Sequence, residues 1–447
     1  MRPKVIDLFC GAGGMSEGLI QAGFHIVFSS DINDQVELTY RKRHEELGLV
    51  QGVNTHFERA DIRSLNGDLI KDKINGLSVF ENIQKPITID AIFGGPPCQG
   101  FSRAGRRDSN DPRNMLFKEY LRVISEINPS YVVMENVEGF MDTILYDFIG
   151  LDGKVYRGDN NIVDILLKEF DKIGYLTLEP KLLDASDFGV PQKRKRAIFI
   201  AYKPNVRRPI YPEPTYIGDE KVTIREAISD LITDSAKKKK FHHKVSNYQK
   251  DSRNGRTPNI KGNPLKGTRK FKNHELSNHS DLIKERFSLF HLGEDTRTLK
   301  MRIINEGIDL SEKSNLLNHI LGSIAVTSDI KDIIEHFKAC DANSDYIQVL
   351  LTKKNNRMRL DFNSQAPTVL TLPDDFISPF EDRILSVREM ARLQSFDDSF
   401  EFLGKRTTGG DRRRVEVPQY TQVGNAVPPL LSKAVATEII KALKDCE

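Results

Sequence analysis

The stretch AIFGGPPCQGFS, residues 91–102, determines how the rest of the chain is interpreted. An apolar run at residues 87–93 is rich in β-branched residues and bounded by turn formers, which predicts a short buried strand. Two glycines and two prolines then end the strand, so Cys98 is expected on the first turn beyond its carboxyl end. Open α/β sheets bind ligands and carry their chemistry at that edge.

Cys98 has two interpretations. A free cysteine is often a small, fully buried side chain, and for an isolated cysteine this is the more common case. The rigid Pro-Pro entry and the polar residues that follow favour the other interpretation, because a core cysteine needs neither. We therefore predict that Cys98 is a nucleophile.

Composition limits the classes of protein that remain. A chain of 447 residues can hold two or three domains, and a net charge of +3 means that any nucleic-acid surface must come from local clustering of charge. Four well-separated cysteines without CxxC spacing exclude a zinc site that could be recognised from sequence and indicate a reducing compartment. Without a signal-peptide pattern or an apolar run of 18 residues, the sequence predicts a cytoplasmic protein that does not span a membrane.

The first thirty residues have the order of a nucleotide-like cofactor site. A strand at 5–9 leads into the glycine-rich turn CGAGG at 10–14, and a helix at 15–22 follows. Glycines let the backbone approach a ligand closely, and a second strand at 25–30 ends at Asp31, where an acid commonly binds ribose hydroxyls. The turn is not G-x-G-x-x-G, which favours a cofactor without a pyrophosphate over a dinucleotide.

A third predicted strand, at 55–59, ends close to Asp61 at the same edge. Asp61 could be a second cofactor ligand or an ordinary helix N-cap, and the residues alone leave both open.

Further along, polar and charged residues again follow predicted strands. The arginine-rich loop at 100–114 is too long for a simple connection, so we interpret it as functional, although a solvated loop would have similar composition. A strand at 131–134 delivers Glu135 to the catalytic edge, where a buried carboxylate must be partnered or used. The block QKRKR at 192–196 precedes a strand at 197–202 and could reach a carbonyl or phosphate, or be an ordinary basic loop.

Periodicity predicts several other elements. They are a strand at 176–183 and helices at 116–127, 162–173, 282–293, 330–337, 388–394 and 430–443.

Six blocks in fixed order resemble the cytosine-C5 DNA methyltransferases, and the resemblance covers both ends of the chain. The blocks are DLFCGAGG at 7–14, GPPCQGFS at 95–102, ENV at 135–137, QKRKR at 192–196, REMAR at 388–392 and QVGNAVPP at 422–429. The resemblance implies an α/β fold, with a Rossmann-like S-adenosylmethionine-dependent methyltransferase sheet, helices on both faces and a smaller variable target-recognition domain. We expect a catalytic and cofactor-binding domain at 1–205, the recognition region at 206–365, and a segment at 366–447 that returns to the catalytic domain.

The resemblance also implies a reaction. The thiolate of Cys98 would add to C6 of a cytosine flipped out of duplex DNA, because C5 is a poor nucleophile until it is activated. Glu135 would contact or protonate N3, and Arg196 would hold the cytosine carbonyl. S-adenosylmethionine would then supply the methyl group to C5, and loss of the C5 proton would release Cys98.

Two further sets of residues follow from the resemblance, which implies no metal ligands. The expected cofactor ligands are Phe9, Gly11, Gly13, Asp31, Asp61, Pro96, Asn425 and Val427. Asp31 is shorter than the glutamate that the family commonly has at the ribose position. The expected DNA contacts are Gln99, Ser102, Arg194, Lys237, Lys238, Lys239 and Lys240.

The segment 237–272 carries thirteen lysines and arginines against the single acid Asp251. An isolated run of this kind is as often a solvated loop as a nucleic-acid contact. Inside the expected recognition region, we predict that it contacts phosphates.

Three functions compete. The first is a monomeric bacterial or phage-encoded DNA cytosine methyltransferase, paired functionally with a restriction endonuclease but forming no stable complex with it. The second is a transfer-RNA methyltransferase on the same catalytic frame, which the long basic segment and the lack of a Cys-Phe-Thr signature disfavour. The third is a nucleotide-binding module that has lost catalysis, which the presence of Cys98, Glu135 and Arg196 disfavours.

Overall fold

A computed structural model describes residues 2–97, 115–242, 244–323, 329–351, 354, 357–408, 412 and 416–444. Predictions for Cys98, Gln99, Ser102 and the loop that carries them lie outside the described residues.

The strands of the described chain are β1 (Lys4–Leu8), β2 (His25–Asp31), β3 (His56–Arg59), β4 (Ala91–Gly94), β5 (Tyr131–Val137), β6 (Ile144–Ile149), β7 (Val155–Asn161), β8 (Leu176–Thr177), β9 (Lys181–Asp184), β10 (Lys195–Tyr202), β11 (Met358–Arg359) and β12 (Phe376–Ile377). The α-helices are α1 (Gly14–Ala22), α2 (Asp34–Glu46), α3 (Gly67–Asn75), α4 (Leu116–Ile127), α5 (Ile162–Lys172), α6 (Ile224–Ile228), α7 (Ser235–Phe241), α8 (Asn247–Asn254), α9 (Asp281–Ser288), α10 (Thr296–Glu306), α11 (Ser314–Ser323), α12 (Ile330–Lys338), α13 (Ser344–Leu350), α14 (Val387–Leu393), α15 (Gln419–Asn425) and α16 (Pro429–Lys444).

The main sheet has the strand order β3-β2-β1-β4-β5-β10-β8, with β9 also paired to β10. Strands β1 to β5 are parallel, whereas β10 runs antiparallel to its neighbours β5, β8 and β9. The chain builds outward from β1 in one direction and returns to continue from β4 in the other. The carboxyl ends of β1 and β4 therefore flank the point where the strand order reverses, which is where open α/β sheets bind ligands.

Helices cover both faces of this sheet, as predicted. Successive side chains of a strand point to opposite faces. Ile6 and Ile92 accordingly join the core under α3, α4 and α5, whereas Val5 and Phe93 join the core under α1 and α16. The carboxyl-terminal helix α16 therefore packs on α1, on one face of the sheet.

Two more apolar cores lie beyond the sheet. One forms around α6, α14 and α15. The other lies within a small helical unit, α9 to α13, whose buried residues include Phe287, Leu299, Ile303, Leu317 and Phe337. The helical unit falls inside the expected recognition region, and the domain boundaries themselves stay a prediction.

Four elements differ from the prediction by more than two residues. The strand expected at 131–134 continues to Val137, so Glu135 lies within β5 and not after its end. The strand expected at 87–93 begins only at Ala91, because the backbone N–H of Ile87 donates to the Asn75 side chain instead of pairing with a strand. The strand expected at 176–183 is two strands separated at Pro180, which has no N–H for the ladder. The helix expected at 282–293 ends at Ser288.

Within the described ranges, no helix combines the length and the apolar character needed to cross a membrane.

Candidate active site

The turn after β4 is fixed against the end of β5. Gly95 has no side chain, and a Cβ there would lie 3.2 Å from Oε2 of Glu135. The side-chain amide of Asn136 donates to the carbonyl oxygen of Pro96 at 3.1 Å. The chain that leads to Cys98 therefore leaves the sheet directly beside Glu135, as the sequence predicted for this edge.

Glu135 and Arg196 form a buried ion pair. The antiparallel register of β5 and β10 pairs Glu135 with Ile198 and Val137 with Arg196, so the two side chains start two positions apart. Nε of Arg196 lies 2.6 Å from Oε1 of Glu135, and each side chain is about a tenth exposed, 10% and 11%. A carboxylate removed from water needs such a partner, and the guanidinium fixes its direction.

The glycine-rich turn between β1 and α1 adopts left-handed backbone conformations at Phe9 (φ 57°), Gly11 (φ 53°) and Gly13 (φ 99°). A Cβ on Gly11 would meet no atom within 4 Å, so open space lies beside the turn at that point. The backbone N–H of Gly11 donates to Oδ2 of Asp31 at 3.0 Å, and that of Asn33 donates to Oδ1 at 3.0 Å. Burial raises the pKa of Asp31, and these backbone donors oppose the increase.

The carboxyl-terminal block closes over the same turn. A Cβ on Gly14 would lie only 2.3 Å from the carbonyl oxygen of Val427, so glycine is required for this approach. Asn425 is exposed at the end of α15 and lines a small cavity of about 170 Å³, beside threonines at 371, 407, 408 and 421. The structure thus brings Val427 to the turn and leaves the Asn425 side chain accessible.

Asp61 caps a short 3-10 turn, Ile62–Ser64, by accepting from the backbone N–H of Arg63 at 3.0 Å. The Arg63 guanidinium also binds both carboxylate oxygens, and this hydrogen bonding lowers the pKa of Asp61. The capping role that the sequence left open is therefore present, and a cofactor contact for Asp61 stays a prediction.

Arg194 does not match its predicted role as a DNA contact. Its side chain is buried, with 3% of the residue exposed. Nη1 donates to the carbonyl oxygen of Val369 at 3.1 Å, and Nη2 donates to that of Gly424 at 2.9 Å. The prediction was wrong because these bonds commit the guanidinium to joining three distant parts of the chain.

The four predicted lysines at 237–240 lie on α7, where Lys239 and Lys240 are exposed. Nζ of Lys238 donates to the carbonyl oxygen of Asp230 at 2.6 Å, and Nζ of Lys240 lies over the ring of Phe241. Lys239 and Lys240 remain accessible for phosphate contacts, whereas Lys238 is partly committed to the fold.

The rest of the basic segment is less available than its composition suggested. Arg253 pairs with buried Asp230 at 2.7 Å, and Arg256 pairs with buried Asp397 at 2.7 Å. These two ion pairs hold the segment against Asp230 of the same region and against Asp397 of the segment at 366–447, so part of the segment's charge is paired within the fold.

Sequence reasoning missed a buried polar cluster beneath the glycine-rich turn. The Ser16 hydroxyl donates to Oδ2 of Asp7 at 2.5 Å, and the Tyr40 hydroxyl lies 2.8 Å from Oγ of Ser16. Burial raises the pKa of Asp7 to about 7. An aspartate in the middle of the apolar strand KVIDL is the sequence feature that could have revealed the cluster.

Comparison with known proteins identifies the family to which the chain belongs. The chain superposes on the structure of a candidate DNA modification methyltransferase encoded within an E. coli prophage with a TM-score of 0.61, at 23% identity and over 99% of both chains, so the two share a fold. The family model for C-5 cytosine-specific DNA methylase matches residues 3–441. The chain therefore belongs to the C-5 cytosine-specific DNA methylase family.

Named relatives match along nearly the whole chain. It is 30% identical to the Type II methyltransferase M.DdeI of Desulfomicrobium norvegicum, over 98% of this chain and 88% of the relative. It is 32% identical to the Type II methyltransferase M1.HphI of Haemophilus parahaemolyticus, over 98% and 86%. The protein is a DNA cytosine-5-methyltransferase, and its methyl donor is S-adenosylmethionine.

Proposed function

We propose that the enzyme methylates C5 of a cytosine flipped out of a specific duplex sequence, through a covalent adduct between Cys98 and C6 of that cytosine. The observation that carries this proposal is the buried Glu135–Arg196 pair, which lies beside the turn leading to Cys98. The ion pair orients the Glu135 carboxylate beside that turn, where it can contact N3 of the base and take part in proton transfer there.

In this reaction the Cys98 thiolate forms a bond to C6 while Glu135 contacts or protonates N3 of the ring. Arg196 holds Glu135 in place and binds the cytosine carbonyl, which stabilises the charge that develops on the ring. When bound, S-adenosylmethionine supplies the methyl group to C5. Removal of the C5 proton then restores the ring double bond and expels the Cys98 thiolate.

The residues that would hold the cofactor fit it. The turn offers open space at Gly11, a carboxylate at Asp31 for ribose hydroxyls, and the Val427 carbonyl close to Gly14. We propose the full set Phe9, Gly11, Gly13, Asp31, Asp61, Pro96, Asn425 and Val427 as cofactor ligands.

We further propose that the enzyme protects DNA from a restriction endonuclease in a bacterial cytoplasm, acting as a monomer without a stable complex with the nuclease. The names of its relatives, which are Type II methyltransferases of bacteria, support this role. Within the chain, residues 206–365 would select the sequence, because phosphate contacts give affinity and base-edge contacts give discrimination.

A substrate assay tests the central proposal. Purified enzyme with labelled S-adenosylmethionine should methylate plasmid DNA and leave transfer RNA unlabelled, and bisulfite sequencing should map the methyl group to one cytosine in a fixed sequence. DNA containing 5-fluorocytosine should trap the wild type covalently, because fluorine cannot leave as the proton does. Cys98→Ser should form no adduct while still binding cofactor, and near-normal turnover of this variant would disprove the mechanism.

A further inference from the structure

Asp7 occupies an unusual position for a charged residue. It lies in β1 at the centre of the sheet, registered against Ser29 of β2 and Phe93 of β4, and it is 0% exposed. A carboxylate buried in this way costs free energy unless it is paired or serves a function. The adduct chemistry proposed above assigns it no role.

Only one oxygen of Asp7 is hydrogen bonded within the described chain. Oδ2 accepts from Ser16, whereas Oδ1 is buried without a hydrogen-bond partner among the described residues. Ser16 lies in the first turn of α1, next to the glycine-rich turn. The Tyr40 ring, whose hydroxyl bonds Ser16, lies 3.2 Å from where a Cβ on Gly13 would be. Asp7 is thus directly beneath the turn that would hold the cofactor.

The groups that face Asp7 are Ser16 of α1, Asp31 of β2, Tyr40 of α2, Tyr120 of α4 and Cys10 of the turn. None of these is a cation. Burial is the largest reason for the raised pKa of Asp7, the Ser16 hydrogen bond opposes it, and the negative charge of Asp31 adds to it. Ionised Asp7 therefore has no cationic partner among these groups.

We propose that the buried Asp7 carboxylate makes the cofactor site prefer the sulfonium cation S-adenosylmethionine over its neutral product S-adenosylhomocysteine. This inference rests on the proposed placement of the cofactor at the glycine-rich turn. The two ligands differ by one methyl group and one positive charge, so shape distinguishes them poorly. A carboxylate in a medium of low dielectric constant distinguishes them by charge.

Linkage gives the proposal a measurable consequence. A cation that favours ionised Asp7 must expel the Asp7 proton to solvent when it binds near neutral pH, whereas the neutral product need not. The affinity ratio of the two ligands should therefore rise with pH. For a carboxyl that titrates near 7, the ionised fraction rises by up to about tenfold between pH 6 and pH 8.

Isothermal titration calorimetry tests the predicted proton release and the pH-dependent preference. Each ligand, S-adenosylmethionine or S-adenosylhomocysteine, is titrated at pH 6 to 8 in two buffers of different ionisation enthalpy. The wild type should release protons on binding the sulfonium ligand, and its preference for that ligand should rise several-fold with pH. Asp7→Asn should bind both ligands with a pH-independent ratio and without proton release.

Two matched variants separate charge from packing. Ser16→Ala keeps the carboxylate and removes a hydrogen bond that lowers its pKa, so the rise in preference should move to higher pH. Tyr40→Phe also keeps the carboxylate, so its pH dependence should persist. If the affinity ratio of the two ligands does not depend on pH in the wild type, or keeps its pH dependence in Asp7→Asn, the role of Asp7 is overturned and the proposed function is unaffected. Failure of the wild type to bind either ligand would overturn the proposed function as well.

Discussion

Replacing Arg194 with methionine should unfold the protein more easily without changing how it binds DNA. Methionine keeps much of the length and apolar stem of arginine but leaves the carbonyl oxygens of Val369 and Gly424 without these donors. A hydrogen bond from a charged donor contributes about 1.5–3 kcal/mol, so losing two should lower the free energy of unfolding by about 3–6 kcal/mol. Because domains are stable by only about 5–15 kcal/mol, this loss is large.

Urea unfolding followed by circular dichroism measures the effect, and Lys195→Met is the matched control. Lys195 belongs to the same block and is exposed, so its replacement removes one charge without breaking buried bonds. We expect a much lower urea midpoint for Arg194→Met, and for the control a free energy of unfolding within about 0.5 kcal/mol of wild type. In DNA binding at a temperature where the variant is folded, the salt dependence of Arg194→Met should equal that of wild type.

The opposite pattern would refute this reasoning. An unchanged urea midpoint, together with a salt slope reduced by about one phosphate contact, would show that Arg194 contacts DNA after all.

Three further outcomes are expected. Asp61→Ala should weaken S-adenosylmethionine binding about tenfold to a hundredfold, because a lost hydrogen bond to a charged group costs about 1.5–3 kcal/mol. An unchanged affinity in calorimetry would leave Asp61 with its capping role only. The folded wild type holds the Asp7 proton more tightly than the unfolded chain does, because the pKa of Asp7 is raised, so the wild type loses stability as pH rises from 5 to 8. Asp7→Asn has no such proton, so its melting temperature should rise relative to that of wild type over this range. A difference in melting temperature that stays constant with pH would contradict this. Replacing Lys239 and Lys240 with alanine should weaken binding to all DNA sequences alike and flatten its salt dependence, and a change of the methylated sequence would show that these lysines discriminate between bases.

What the sequence could predict depends on how local the decisive interactions are. The helix at 116–127 and the position of Asp31 at the end of β2 follow from periodicity and turn chemistry within a few residues. The continuation of β5 past Glu135 to Val137 does not, because those residues pair with β10. The role of Arg194 does not, since its partner carbonyls lie 175 and 230 positions away. An arginine in a basic block looks the same whether it faces DNA or carbonyl oxygens, and only the tertiary fold separates the two.

The aspartate within the apolar strand KVIDL could have drawn attention to Asp7, but its partners are distant in the sequence. Tyr40 belongs to α2 and Ser16 to α1, so no local pattern announces that their hydroxyls meet at one carboxylate. The strand interrupted at Pro180 is a different case, because proline's missing N–H was visible in the sequence and was outweighed by the surrounding apolar residues.

The packing of α16 on α1 has a consequence for how the enzyme is made. Oγ of Ser432 bonds the carbonyl oxygen of Met15 across 417 positions of chain, and Gly18 allows the backbone at Pro429 to approach α1 closely. At about 5–20 residues per second, a ribosome needs roughly 20–80 seconds to pass from one helix to the other. During that interval the part of α1 that α16 covers in the folded protein stays uncovered on the nascent chain. The face of α1 that α16 covers can therefore reach its final packing only after the ribosome has synthesised α16.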